Sequence, residues 1–152
     1  MPDERELSCY SNNNPKCELG GLVAWNTTGA RPRRNVHDHA EAARRALRSI
    51  AQTARRQGYE LPVSETKKSA RRILDSLAKE FKCHFEVYPT EEGEIAIQIS
   101  GGYRRGVLIS LERDGSAMCF LTIGGTNDRK AYKSADELPD YFARDAIRRI
   151  LE

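Results

Sequence analysis

Between residues 83 and 123 apolar and polar positions alternate one by one; on either side of that stretch they recur every three or four. Cys83, Phe85 and Val87 alternate with His84, Glu86 and Tyr88, and Ile95, Ile97 and Ile99 alternate with Glu94, Ala96, Gln98 and Ser100. Val107, Ile109 and Leu111 form the next inward set, followed by Ala117, Cys119, Leu121 and Ile123. A period of two is the mark of strands with one buried face. Turn chemistry separates the runs: Pro89 to Gly93, Gly101-Gly102, and Asp114-Gly115, with Gly124-Gly125 closing the last. Loops this short make neighbouring strands antiparallel, so the stretch predicts a four-stranded meander. Lys130 to Lys133 is a candidate fifth strand at the edge, where lysine discourages sheet-to-sheet association.

The helical periods flank this meander. Ala43, Ala46, Leu47, Ile50, Ala51 and Ala54 share one face of a helix over 37–57, with Asn35 or Asp38 as its cap and Gly58 past its end. Ala70, Ile73, Leu74, Leu77, Ala78 and Phe81 make the stripe of a second helix over 64–82, capped by Ser64. At the other end, Ser134 to Glu137 reads as a capping box. It opens a helix running to the C-terminus, with Pro139 in its first turn and Phe142, Ala143, Ala146, Ile147, Ile150 and Leu151 on its buried face. The fold class is α+β: two N-terminal helices, the antiparallel meander and a C-terminal helix. The helices should cover one face of the sheet and leave the other wet.

Residues 1–35 have no clean period. Ser11-Asn12-Asn13-Asn14-Pro15 is turn-forming, Leu22 to Trp25 suits one short strand, and Gly29 to Pro32 reads as a linker. The expected organisation is an irregular arm over 1–35 and a single domain over 36–152. The chain has 152 residues, 39% hydrophobic and 31% charged, enough to bury a core without a disulfide or metal. No apolar run approaches the ~20 residues of a membrane span. The acidic start Met1–Leu7 has no apolar signal core, so a cytoplasmic location with reduced cysteines is expected.

Charge changes the picture more than composition does. Residues 31–72 carry twelve Lys/Arg against four acids, a local net of +8 in a chain whose total is +3. Arg31, Arg33 and Arg34 precede the first helix; Arg44, Arg45, Arg48, Arg55 and Arg56 lie on it; Lys67, Lys68, Arg71 and Arg72 lie on the second. A basic surface of this kind suits an acidic protein partner or nucleic acid, and it is equally the make-up of a solvated polar face. Helix-turn-helix geometry is not indicated, because the linker from Gly58 to Val63 is too long and contains Pro62. Tyr59 alone is available in the segment for stacking on bases.

Catalytic motifs are missing. The histidines are His37, His39 and His84, and His84 beside Cys83 on a strand would point to the opposite face. Cys9, Cys17, His37 and His39 supply zinc-ligand types at a spacing that fits no common knuckle. Gly101 to Gly106 is glycine-rich and basic, but a strand follows it and no Lys-Ser/Thr pair is present, so it reads as a hairpin. Its Tyr103, Arg104 and Arg105 are candidates for partner contact at a loop tip. Glu91, Glu92 and Glu94 surround a turn, where no pocket would shift their pKa values apart. No cofactor is expected.

Over residues 64–152 the chain resembles a group of small uncharacterised bacterial proteins. The resemblance is carried by Glu65-Thr66 opening a helix, Phe85-Glu86-Val87, Gly93-Glu94-Ile95-Ala96, the strand before Asp114-Gly115, the Leu138-Pro139 step and the basic terminal helix. It implies the same layout and supplies no active site. The expected function is therefore a non-enzymatic protein-binding module, such as an intracellular inhibitor, an immunity or antitoxin-like protein or an accessory subunit. The alternative is a nucleic-acid-binding regulator using 31–72, and an enzyme with an unfamiliar site near Cys83, His84 or Arg104–Arg105 is the third class.

Overall fold

A computed structural model describes residues 36–152. The expected arm over 1–35, with Arg31, Arg33, Arg34, Cys9 and Cys17, lies outside the described residues, as do the side chains of His37 and His39. The helices are α1 (Val36–Arg48), α2 (Ile50–Gln57), α3 (Ser64–Glu80) and α4 (Tyr141–Leu151). The strands are β1 (Phe85–Pro89), β2 (Ile95–Ser100), β3 (Arg105–Leu111), β4 (Ala117–Ile123) and β5 (Thr126–Tyr132). All pairings are antiparallel, in the order β1-β2-β3-β4-β5.

Register builds two different faces. Three inner rows run across the sheet: Phe85, Ile99, Val107, Leu121 and Asp128; Val87, Ile97, Ile109, Cys119 and Lys130; Pro89, Ile95, Leu111, Ala117 and Tyr132. Their apolar members join Leu47, Ile50, Ile73, Leu74, Leu77, Ile147 and Ile150 of the helices in one core. Each fully buried Ile or Leu contributes about 1.5–3 kcal/mol relative to exposure, and this burial offsets the cost of ordering the chain. On β5 the inner rows turn polar, and Asp128 and Lys130 at the edge disfavour a further strand.

The helices depart from expectation in four places. The single helix over 37–57 is two, α1 and α2, divided at Ser49. The Ser49 hydroxyl donates to the carbonyls of Arg45 (3.1 Å) and Ala46 (3.5 Å), and this back-bonding bends a helix. Asp38 lies inside α1 rather than capping it, and Val63, not Ser64, is the residue before α3. The Ser134 capping box closes a short 3₁₀ turn, Ala135–Glu137, instead of opening α4. Leu138, pushed to extended backbone (ψ 148°) by the following Pro139, ends that turn, and Asp140 caps α4 afresh. The Leu138–Pro139 bond is cis.

The strands depart less. The first begins at Phe85, so Cys83 and His84 precede it, and Cys83 packs at the margin of the core. The candidate edge strand is a full strand from Thr126, made by a two-residue Gly124-Gly125 turn with Gly124 at φ 62°. Gly58 (φ 75°) ends α2 as expected.

Asp140 joins β5 to α4. Its carboxylate accepts from the Tyr132 hydroxyl (2.8 Å), the Lys130 ammonium (2.8 Å) and the Ala143 amide (3.1 Å). Burial raises its pKa, but the Lys130 bond, the Ala143 amide and the Tyr132 hydroxyl together hold it below the ordinary carboxylate value. Such stability is complete above the unfolded carboxylate range, near pH 4, and disappears as pH falls through the lower folded value. Asp140→Ala should cost about 1–2 kcal/mol at pH 7, and the deficit should shrink below pH 4 in denaturant titrations. Gly101 meets a tighter constraint: a Cβ there would lie 2.1 Å from the Ile150 carbonyl oxygen. Gly101→Ala should therefore displace the end of α4 and cost about 2–3 kcal/mol, read as a fall in Tm.

Candidate functional site

α3 is apolar on one side and strongly cationic on the other. Its buried Ala70, Ile73, Leu74 and Leu77 force Lys67, Lys68, Arg71, Arg72 and Lys79 outward. Beside Leu47 of α1 these residues line an open groove of ≈ 730 Å³, with Ser64, Asp75 and Ser76. Asp75 organises it. One carboxylate oxygen accepts from Arg44 of α1 (2.8 Å) and the other from Arg71 (3.2 Å), which ties the two helices together and sets the groove wall.

Much of the basic surface is already committed within the molecule. Arg72 donates to the carbonyls of Leu138 and Ala135, both at 2.7 Å, and so clamps the segment before α4. Arg48 pairs with Glu41 at 2.9 Å, and that bond, with the Arg48, Arg45 and Arg44 charges, holds the Glu41 carboxyl below its usual range against the opposing effect of desolvation. Lys68 is 3.6 Å from Glu65. Arg45, Lys67 and Lys79 have no ion pair among the described residues. Arg45, Arg55 and Arg56 do not line the groove, and Arg56 bonds Thr53 at 3.5 Å. The cations of 44–72 are thus divided: Lys67, Lys68, Arg71 and Arg72 converge, Arg44 braces them through Asp75, and the rest stand apart. Lys79 and Asp75 belong to this site although the basic run did not mark them. The i, i+4 steps from Arg71 to Asp75 and from Asp75 to Lys79 were the available signal.

The second candidate cluster separates likewise. Tyr103 is 87% exposed at a loop tip, with the Arg104 guanidinium 5.9 Å from its ring centre. Arg104 has φ 57°, in the third position of a Gly102–Arg105 turn that ordinarily takes glycine. Arg105 is not at the tip. It starts β3 and its guanidinium donates to the Arg149 carbonyl, satisfying an orphan acceptor in the last turn of α4.

No group of three or more His, Cys, Asp or Glu with metal-site geometry occurs among the described residues. Glu91 and Glu92 border an open cavity of ≈ 420 Å³ with Tyr59 and Tyr88 at the β1–β2 turn. No described helix is long and apolar enough to cross a membrane. No protein-family model, curated protein or solved structure matches the chain.

Neither described cysteine suits nucleophilic chemistry. Burial pushes the Cys83 thiol up to about 11 and the Cys119 thiol up to about 12. The reactive species is the thiolate, which is scarce for both at neutral pH. In the native protein at pH 7.5, Cys83 should alkylate with iodoacetamide about a hundredfold more slowly than a free cysteine, as followed by peptide mass mapping, and at the ordinary rate in denaturant.

Proposed function

We propose that this protein is a non-enzymatic protein-binding module, of the inhibitor, immunity or antitoxin-like or accessory-subunit kind, that takes an acidic segment of its partner along α3. The observation that carries the reading is the groove in which Lys67, Lys68 and Lys79 surround an Arg71 held in place by Asp75. Anchored arginine offers a planar fork for a carboxylate, and the flexible lysines add charge without fixed geometry.

The same cations favour a second reading, a nucleic-acid-binding regulator, because phosphates suit them equally. Two features weigh against it: Arg44, Arg48 and Arg72 hold internal contacts, and no aromatic side chain lines the groove. Titrating the full chain with a glutamate-rich peptide and with a 20-base-pair duplex at several salt concentrations separates the two. The first reading expects peptide binding weakened about tenfold or more by Lys67→Glu with Lys79→Glu, and little affinity for the duplex. Duplex binding with a steep salt slope, and no peptide binding, would put the regulator in its place.

A further inference from the structure

No helix among the described residues covers the outer face of the sheet, yet its centre is not polar. One row runs Glu86, Gln98, Leu108, Phe120 and Arg129 from β1 to β5; the next runs Tyr88, Ala96, Ser110, Met118 and Ala131. Leu108, Met118 and Phe120 are partly exposed in the middle strands, and Tyr88 is 38% exposed beside them. The Tyr88 hydroxyl donates to Gln98 Oε1 at 2.8 Å, so the ring lies along this face. The first row ends in an exposed acid on one edge strand and an exposed base on the other, neither with a partner among the described residues. They stand four strand spacings apart, about 19 Å, too far to meet within one chain.

We propose that two copies of this chain pair through this outer sheet face, about a two-fold axis along the strands that sets Glu86 of each copy on Arg129 of the other. That axis reverses strand order between the facing sheets. Leu108 then meets its own copy at the centre, Gln98 faces Phe120 and Tyr88 faces Ala131, large against small in the last pair; Ala96, opposite Met118, is already buried within its own chain and adds little contact. A two-fold axis across the strands would instead bring Glu86 onto Glu86, so charge selects the first arrangement. Glu94 and Glu112 stand at the strand ends, accepting from Ser110 (3.1 Å) and Ser116 (3.3 Å), at the rim where twisted sheets diverge and water enters. Five strands of five to seven residues present about 500 Å² per copy, which places the total near the ~1,000 Å² a specific interface needs. The affinity such an area supports is modest and rests on the paired charges. This interface is independent of the α3 groove.

The test is light scattering on size-exclusion chromatography of the full chain over micromolar to millimolar concentrations, with the dissociation constant taken from sedimentation. The wild type should run as a concentration-dependent dimer. Glu86→Arg and Arg129→Glu alone should each weaken it about tenfold or more, and the two together should restore it. Phe120→Ser should give a monomer whose circular dichroism is unchanged. A wild type that stays monomeric throughout overturns the proposal. So does a dimer indifferent to both single reversals, or a double reversal that fails to recover while its fold is intact.

Discussion

Ile97 lies fully buried between Val87 and Ile109, with α3 packed over the sheet, and the rest of the molecule depends on that register. Side chains alternate across a strand, so a slip of one residue would put Gln98 and Glu94 into the core and Ile95, Ile97 and Ile99 into water. Once the isoleucines face the helices, every other position in the meander has its side assigned. Glu86, Leu108, Phe120 and Arg129 are outward because their neighbours are inward. The bare face and the charges at its two edges follow from the same alternation that makes the core.

The helices repeat this logic with a different period. Burying Ile73, Leu74 and Leu77 turns the cations of α3 outward, and Asp75 decides which of them stay available. Arg44 and Arg71 share its carboxylate, so they brace the helix pair while presenting their remaining donors in a fixed direction. Arg72 looks like its neighbours in sequence but holds the Ala135 and Leu138 carbonyls, and its task is to seat the turn before α4. A basic run is therefore a mixture of brace, clamp and free charge. Exposed pairs of this type contribute little stability each, about 0–1 kcal/mol, so their importance lies in orientation.

The two surfaces divide the molecule's capacity for contact. The groove on the helical side presents the cations Lys67, Lys68, Arg71 and Lys79. The outer face of the sheet combines a partly apolar centre with edges of opposite sign, which is the form a self-complementary surface takes. The buried Cys119 and half-buried Cys83 serve as packing residues.

Much of this was legible along the chain. Period two gave the inward sets of the first four strands, helical spacing gave the buried faces, and paired glycines gave the turns, because each is a local property of backbone and side chain. Ser49, Pro139 and the full length of β5 were harder. A serine hydroxyl bends a helix only when it bonds back, a proline relocates a cap only when its neighbour is extended, and Thr126-Asn127-Asp128-Arg129 has no apolar alternation to show that it pairs with β4. What the chain could not decide alone is which of its like charges are free. Arg44 meets Asp75 thirty-one residues away and Arg72 meets Leu138 sixty-six away. Glu86 and Arg129 fall on one row only after four hydrogen-bonded registers have been closed. Composition and period determine which residues face inward; the tertiary fold alone decides what the outward ones meet, since those contacts depend on distances that sequence separation does not encode.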